Sequence, residues 1–440
     1  MARRHGPQVS PGSGRSASTT AGISLSLRHG VGTGTTGACG RIWTAVLGRA
    51  VPAGIGHGNQ WPTVDLIVDH LLPSRASTVT SVLSSPPQTA TGTARRPQPQ
   101  RWTAARLVWA LSGLNLAIVL GVLILLFVVS ERWWLGAAVT YLPRLPWGVP
   151  AILLCVAAWF WHRPSLWVNV LSLALVAGPV LEFRAPFLSD HRPAAVSAAA
   201  TPLRIVTANI QGYRPDFASV LSEVSRFQPD VVVLQEARGE SPLLDDFFPN
   251  WHRLHVDYYW IGSRYPLKLV TACNTEAFDR VAGLVVELET PAGPLLVANI
   301  HQMTARRGLK DLSGSELLQG TAQQDLEHFQ TLRLIESNEL REQIQQHAGD
   351  RPLIVAGDFN TPSSSNLFQQ TWGDLQSAFD VAGLGYGYTS PVKPQKYWVS
   401  YLPWARIDHI LASPDWQVRW CRVGQSRGSD HHCLAAELVR

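Results

Sequence analysis

The chain has 440 residues, 46 % of them hydrophobic and 17 of them tryptophan, which is too long for one ordinary domain and rich in apolar residues for a soluble protein. Its formal charge of +5 hides a split: residues 1–200 carry 16 basic and 5 acidic side chains, a net of +11, whereas residues 201–440 carry 21 and 27, a net of −6. The pI of 9.1 therefore comes from the N-terminal half and does not argue for a nucleic-acid-binding C-terminal half, and five scattered cysteines without a Cys-x-x-Cys pair exclude a disulfide scaffold or a zinc site.

Taken in order, residues 1–100 are dominated by Gly, Ser, Thr, Ala, Pro and Arg with no sustained period. They read as a disordered or weakly structured basic tail with one short helix over Trp61–Leu72. A cytoplasmic tail and a mis-assigned translation start both fit this composition, and the compact regions of a secretory signal are missing from it. Residues 101–185 read as a membrane region. Leu107–Ser130 runs without a charge for roughly 24 residues, where about 20 cross a bilayer. Residues 145–161 and 165–181 are marginal in length and are separated by His162, Arg163 and Pro164, with Trp133, Trp134, Trp147, Trp159, Trp161 and Trp167 near their ends as interfacial anchors. Three spans are expected, with one span plus a re-entrant hairpin as the alternative. Arg95, Arg96, Arg101 and Arg106 before the first span favour a cytoplasmic N-terminus, although Arg132, Arg144, Arg184 and Arg192 would then lie outside. That orientation makes the chain a multi-pass protein of the plasma membrane with everything after about Phe183 extracytoplasmic. Residues 186–202 read as an Ala/Pro/Ser-rich linker.

From Leu203 the texture changes to short β-branched runs between polar helices. Strands are expected at Leu203–Asn209, Val231–Glu236, Tyr258–Ser263, Leu267–Thr271, Ala282–Leu288, Pro294–Asn299, Pro352–Ala356, Ile407–Leu411, Gln417–Val423 and Cys433–Leu438, with helices at Phe217–Phe227 and Thr321–His347. In the long helix Leu326, Phe329, Leu332, Leu340 and Ile344 recur at helical spacing. Many strands and few helices over residues 203–440 predict an α/β sandwich of two packed sheets flanked by helices. Cys421 and Cys433 fall in expected strands near the C-terminus, as a bridge in an oxidising compartment or as two buried thiols.

Several of these strands end in a side chain suited to metal or phosphate chemistry. Leu203–Asn209 delivers Asn209, Leu-Gln-Glu delivers Glu236, the run to Asn299 leads to His301, and Gly-Asp-Phe-Asn delivers Asp358 and Asn360. Ile407 leads to Asp408 and His409, and Gly428-Ser429 to Asp430, His431 and His432. Each alone has a bland reading: Asn209 and Asn360 form turns, His409 and His432 are neighbours of stronger candidates, and His252, His255 and His328 carry no motif. Six such strand ends in one domain are hard to explain as solvated turns, which favour Gly, Pro and Ser without this choice of carboxylate, amide and imidazole.

The ordered set of Asn209, Leu-Gln-Glu, Ser263–Pro266, Asn-x-His, Gly-Asp-x-Asn, Arg-x-Asp and Ser-Asp-His resembles the endonuclease/exonuclease/phosphatase superfamily, the DNase I-like fold, over residues 203–440. The resemblance implies a four-layer α/β sandwich and a metal-dependent phosphoesterase using Mg²⁺, with Mn²⁺ as its substitute. A hard cation wants few carboxylates and several waters, so Glu236 is the expected ligand, Asn209 its neutral companion and Asp430 a further carboxylate. Asp358 and Asn360 would position and deprotonate the attacking water. His301 and His431, the latter oriented by Asp408 in family fashion, would donate to the phosphoryl oxygens as imidazolium. Arg306, Arg307 and Lys310, in the polar loop after His301, are either a solvated run or contacts for substrate phosphate or anionic lipid.

The family acts on nucleic acid, phosphoinositides, sphingomyelin and other phosphoesters, so the fold does not choose a substrate. An acidic catalytic half tethered beside a bilayer favours a phosphorylated lipid over nucleic acid, because tether and substrate share one surface. The layout is similar to the membrane phosphatases associated with teicoplanin resistance, which act on a polyprenyl pyrophosphate carrier. A membrane-anchored nuclease and a catalytically idle binding module are the alternatives.

Overall fold

The computed structural model describes residues 103–188, 201–213, 216–310, 321–393 and 402–440. The basic tail, the Trp61–Leu72 helix and most of the 186–202 linker lie outside them.

Residues 203–440 form two six-stranded sheets. The first contains β1 (Leu203–Asn209), β2 (Val231–Gln235), β3 (His252–Val256), β4 (Tyr259–Ser263), β11 (Gln417–Val423) and β12 (Leu434–Val439), in the order β11-β12-β1-β2-β4-β3. The second contains β5 (Leu267–Thr275), β6 (Arg280–Thr290), β7 (Gly293–His301), β8 (Leu353–Asp358), β9 (Gln376–Ser377) and β10 (Asp408–Ala412), in the order β5-β6-β7-β8-β10-β9. One parallel pair sits inside each sheet, β1 with β2 and β7 with β8.

Strand alternation explains both the layers and the site. Leu203 and Ile205 of β1, Val231 and Val233 of β2, Leu295 and Val297 of β7, and Ile354 and Ala356 of β8 all point between the sheets and form one core. The intervening Val206, Val232 and Leu234 face outward onto helices Phe217–Arg226 and Pro242–Phe247. Leu296 and Val355 likewise face the long helix Thr321–Ala348 and the helix Asn366–Trp372. Both faces of the central strands are covered, which is why they read as unbroken apolar runs. Each fully buried aliphatic side chain contributes roughly 1.5–3 kcal/mol, so this double covering is the main source of stability. Cys273, Cys421 and Cys433 are buried free thiols, and no bridge joins the last two.

The strand expectations hold to within a few residues, with β5 and β6 longer than expected and with the two-residue β9 and the longer β3 missed. Its side chains are half-buried or exposed at a sheet edge, and His252, Arg253 and His255 hide its period.

N-terminal to the sandwich, the described residues form four apolar helices, Ala104–Ile124, Trp134–Tyr141, Val149–Trp161 and Ser165–Leu175. The first continues through a π turn into residues 125–132 and is long and apolar enough to cross a membrane. Over the segment expected to span at 145–161, the helix Leu145–Trp161 pairs with Trp134–Tyr141 across a 91° bend, the geometry of a broken span or of a re-entrant loop. Pro143 and Pro146 fall at that break, where a missing amide proton and the ring's bulk stop a continuous helix. The third helical stretch, Ser165–Val180, is shorter and ends in a π turn containing Pro179.

Candidate active site

The alternation that builds the core also carries polar side chains into the same layer at the strand ends. Continuing the inward rows gives Thr207 and Asn209 on β1, Gln235 on β2, Asn299 and His301 on β7, Asp358 on β8 and Asp408 on β10. In the second sheet His301 and Asp408 are both directly opposite Asp358, on its parallel and antiparallel neighbours. Directly opposite residues share a face, so three titratable groups meet by register alone.

Beneath them is a buried amide layer. Gln235 Nε2 donates to Asn299 Oδ1 at 2.7 Å and to Thr207 Oγ1 at 3.1 Å, and Asn299 Nδ2 donates to the carbonyl oxygen of Leu234 at 3.0 Å. These bonds tie the two sheets together just below the site. Gln235 and Asn299 had no assigned role in the sequence, although both lie in the motifs that carry Glu236 and His301.

Asp358 is the hub. Its Oδ2 accepts from Asn209 Nδ2 at 3.1 Å and faces His301 Nε2 at 3.6 Å and His431 Nε2 at 3.8 Å. Its Oδ1 accepts from the backbone of Asn360 at 2.8 Å. His431 Nδ1 pairs with Asp408 Oδ2 at 2.8 Å, and Asp358 and Asp408 are almost fully buried. The preceding Gly357 is required because a Cβ there would run into the Ile300 carbonyl oxygen of the paired strand. Asn360 (φ 51°) and Glu236 (φ 57°) hold left-handed backbone, which Asn tolerates and Glu rarely adopts. Such strain at a Glu held against the site is characteristic of functional positions.

Glu236 forms the open side of the cluster. Its side chain is 30 % exposed, its Oε1 accepts from Asn209 Nδ2 at 3.2 Å, and His301 Nε2 lies 4.0 Å away. Asn209 presents its amide nitrogen to both carboxylates, because its oxygen already accepts from the Gln211 backbone at 3.1 Å. It therefore bridges Glu236 and Asp358 as a donor, whereas a neutral metal ligand would need the oxygen turned inward.

The environment separates the two histidines that were both expected to be imidazolium. Burial works against charging His431, but the carboxylates of Asp408 and Asp358 overcome it and raise its pKa to about 10. Burial also disfavours charge on His301; Asp358 resists, Arg280 and His431 reinforce the effect, and the pKa falls to about 4. Burial, reinforced by Asp408 and opposed by both histidines, raises Asp358 above the usual carboxylate range.

The charge of Asp430 favours the protonated form of both His301 and His431, behind the larger effects of burial and of Asp358. The Asn360 side chain donates to the Gln302 carbonyl oxygen at 2.8 Å, pinning the loop after β8 to the loop after β7. His409 is a core residue, with Nε2 at 2.9 Å from the Thr361 carbonyl oxygen and its ring against Phe359 and Phe368. Arg306–Lys310, expected as a loop, is a short helix on which Arg306 and Arg307 are exposed; the Lys310 side chain lies outside the described residues.

Sequence reading also missed Arg333 and Glu336. Arg333 is 2 % exposed and donates to the Met303 carbonyl oxygen at 2.8 Å, the Asn360 carbonyl oxygen at 2.8 Å and Thr361 Oγ1 at 2.7 Å. Glu336 accepts from the Met303 backbone at 2.8 Å and pairs with Arg280 at 3.0 Å, and Arg280 in turn donates to the His301 carbonyl oxygen. The signal was present in the spacing: Arg333 lies seven residues from both Leu326 and Leu340, on the buried face of its helix.

The residues fit a hard divalent cation. The donors available at the site are carboxylates with neighbouring imidazoles, Glu236 keeps an exposed oxygen face for a cation that retains waters, and the buried Asp408 Oδ1 lacks a hydrogen-bond partner. Asp358, Asp408 and His431 also bring ligand atoms within 4.8 Å of one another. His431 Nδ1 is already engaged by Asp408, so these three form a closely paired group at the buried end of the site, with Glu236 at its exposed side.

No curated protein matches the chain. Among solved structures it is similar to truncated Caenorhabditis elegans TDP2, at 12 % identity over 54 % of this chain and 98 % of that one, with a TM-score of 0.42. It is also similar to the 3′ phosphatase NExo from Neisseria bound to a product DNA hairpin (18 % identity, 53 % and 98 % covered, TM-score 0.40). A third is the mannosyl-6-phosphatase Bt3783 of Bacteroides thetaiotaomicron (15 % identity, 54 % and 100 % covered, TM-score 0.38). Residues 206–431, more than half the chain, match the profile of the endonuclease/exonuclease/phosphatase family, and they do so on the two-sheet sandwich and strand-end cluster described above: the chain belongs to that family.

Proposed function

We propose that the chain is a membrane-anchored, divalent-metal-dependent phosphoesterase that hydrolyses a phosphate ester or pyrophosphate of a membrane lipid carrier or head group. The observation that carries the membrane part is an inverted polarity in residues 104–180. Trp109, Leu114, Leu153, Phe160 and Trp167 are exposed, whereas Ser112, Asn115, Asn169 and Ser172 are buried. Asn169 Nδ2 donates to Ser112 Oγ at 2.9 Å between two helices. Helices that turn Leu and Trp outward and hydrogen-bond Ser and Asn inward suit lipid, where apolar surface has no reason to hide and polar groups must pair. Exposed Phe187 and Leu384 flank the Arg184–Gly385 bridge at the end of these helices and supply an apolar rim toward the bilayer.

In this reading residues 101–185 form the membrane region, 186–202 the linker and 203–440 the catalytic domain. The chain is multi-pass in the plasma membrane with the catalytic domain extracytoplasmic. The layout of membrane spans followed by an outward phosphoesterase domain resembles that of the membrane phosphatases associated with teicoplanin resistance, which favours a polyprenyl pyrophosphate as substrate.

The chemistry follows from the side chains. Mg²⁺ or Mn²⁺ held by Glu236, with Asp430 nearby, would supply Lewis-acid stabilisation of charge on the phosphoryl and leaving oxygens. Asp358, held by Asn209 and the Asn360 backbone, orients the attacking water and takes its proton, a task its raised pKa favours. His431, kept charged by Asp408, donates to one non-bridging oxygen, and neutral His301 donates to another.

The test compares phosphate release from a polyprenyl pyrophosphate with nicking of plasmid DNA, each with Mg²⁺ and with chelator. Release without nicking is expected, abolished by chelation and reduced roughly 10²–10⁴-fold by Asp358→Asn. Nicking without release would move the function to the nuclease side of the family, and neither activity in the intact protein would support the idle module.

A further inference from the structure

Polar contacts link the apolar N-terminal segment to the loop that follows Asp358 at three points, one through Arg333 and two directly. At its start, Arg333 Nη1 donates to Tyr141 Oη at 2.7 Å while Nη2 holds the Asn360 carbonyl oxygen and Thr361 Oγ1. In the middle, Glu182 accepts from Ser363 Oγ at 3.3 Å and from Ser364 Oγ. At its end, the Asn366 backbone donates to Ser130 Oγ at 3.1 Å. Glu182 is 3 % exposed, has left-handed backbone (φ 60°) and pairs with Arg144 at 2.5 Å. It also lies 3.5 Å from Arg406, which donates to Ser363 Oγ at 2.6 Å and stands two residues before Asp408.

We propose that the membrane-side segment is a built part of the catalytic site: Glu182 and Tyr141 are positioning residues that set the loops carrying Asp358, Asn360 and Asp408. Both lie outside residues 206–431, the part that matches the family profile. Neither touches the reacting atoms; each acts through Arg333, Arg406 or the serines after Asn360. A tether needs none of this. Burying a carboxylate with two guanidinium groups is a poor way to gain stability, since apolar packing of similar volume does as well or better. Directional hydrogen bonds to three successive points of one loop fix its geometry instead, and strand-end carboxylates tolerate little displacement in a reaction that depends on alignment.

The catalytic consequence rests on the phosphoesterase reading above, so the experiment carries a second readout that does not. The full chain in detergent micelles is compared as wild type, Glu182→Gln and Tyr141→Phe, with Glu287→Gln as a carboxylate control at a peripheral pair with Arg351. Hydrolysis of 4-nitrophenyl phosphate and bis(4-nitrophenyl) phosphate is measured with Mg²⁺, and amide hydrogen exchange is followed in parallel. In Glu182→Gln and Tyr141→Phe, kcat is expected to fall roughly 10–100-fold, the range seen when partners that orient a reacting group are removed, with KM unchanged. Exchange is expected to quicken in residues 359–366 and 406–409 while β1 and β2 keep their protection, and Glu287→Gln is expected to change neither. Unchanged exchange in those loops overturns the proposal, as does locally faster exchange with wild-type kcat. Uniformly faster exchange across both sheets, with full activity in the folded fraction, would reduce these residues to general stabilisers and also overturn it. If the wild type hydrolyses neither probe, the phosphoesterase reading is what fails. Exchange then decides the positioning alone: a rise confined to the two loops upholds it and no rise defeats it.

Discussion

The two sides of the site are built differently. Asp358, Asp408 and His431 are almost wholly removed from solvent and fixed by sheet register and a 2.8 Å pair. Glu236 is 30 % exposed and His301 17 % exposed on the other side, and Glu236 sits just past the end of its strand on left-handed backbone. The closed side suits a group that must hold a proton at a defined place, because low dielectric strengthens its charge pair. The open side suits a ligand for a cation that arrives with water. Electrostatics divides along the same line, with His431 raised to about 10 and His301 lowered to about 4 although both face one carboxylate.

The largest test of that division is Glu236→Gln. If the open side holds the cation, this change should raise the Mg²⁺ concentration for half-maximal activity by more than the roughly 10–100-fold typical of residues that only orient a ligand. Activity should partly return at high Mg²⁺, and the melting temperature without metal should stay near wild type because the side chain is partly solvated. Metal titration of initial rates checks this. An unaltered Mg²⁺ requirement would move the cation to the closed side, onto Asp358, Asp408 and His431.

The closed side is tested by pH. His431 has a folded pKa of about 10 against about 6.5 for a free histidine. Its pairing therefore contributes stability that is fully present below about 6.5 and is lost as pH rises through 10. If the charged ring donates to the phosphoryl group, the alkaline limb of the kcat profile should lie well above neutrality. Asp408→Asn removes one of the two carboxylates and should bring that limb down by about 1–3 pH units, the usual effect of one close opposite charge. It should also flatten the alkaline loss of thermal stability. His301, neutral across this range, should leave the alkaline limb in place when changed to Gln. An alkaline limb unmoved by Asp408→Asn would assign it to another group.

Much of this site was legible from the chain because inward alternation is a local property: Ile205, Thr207 and Asn209, or Ile354, Ala356 and Asp358, are read two residues at a time. The same rule failed at β3, an edge strand with little burial to impose a period, and it says nothing of the apolar helices, whose runs are interrupted by prolines at 143, 146 and 179. Arg333 was hidden for a different reason. A cation inside an apolar stripe looks like an interruption until the Asn360 and Met303 carbonyl oxygens are known to lie opposite it. Contacts such as Tyr141 to Arg333 join residues 192 positions apart through side chains that belong to no motif, and only the folded chain brings them together.

The smallest expected effect concerns the edge of the open side. Arg306 and Arg307 are exposed on a short helix that begins five residues after His301, so reversing both charges should move stability by no more than about 0.5 kcal/mol each. If they meet the substrate's phosphate or an anionic head group, Arg306→Glu with Arg307→Glu should raise KM severalfold and leave kcat alone. The added KM should shrink as salt rises, because exposed charges are screened beyond about 10 Å at 0.1 M ionic strength. Such a result would extend the open side outward from Glu236 to the protein surface. An unchanged KM at low salt would instead leave both arginines as a solvated run and confine recognition to the strand ends, where Asn209, Glu236 and His301 already converge on Asp358.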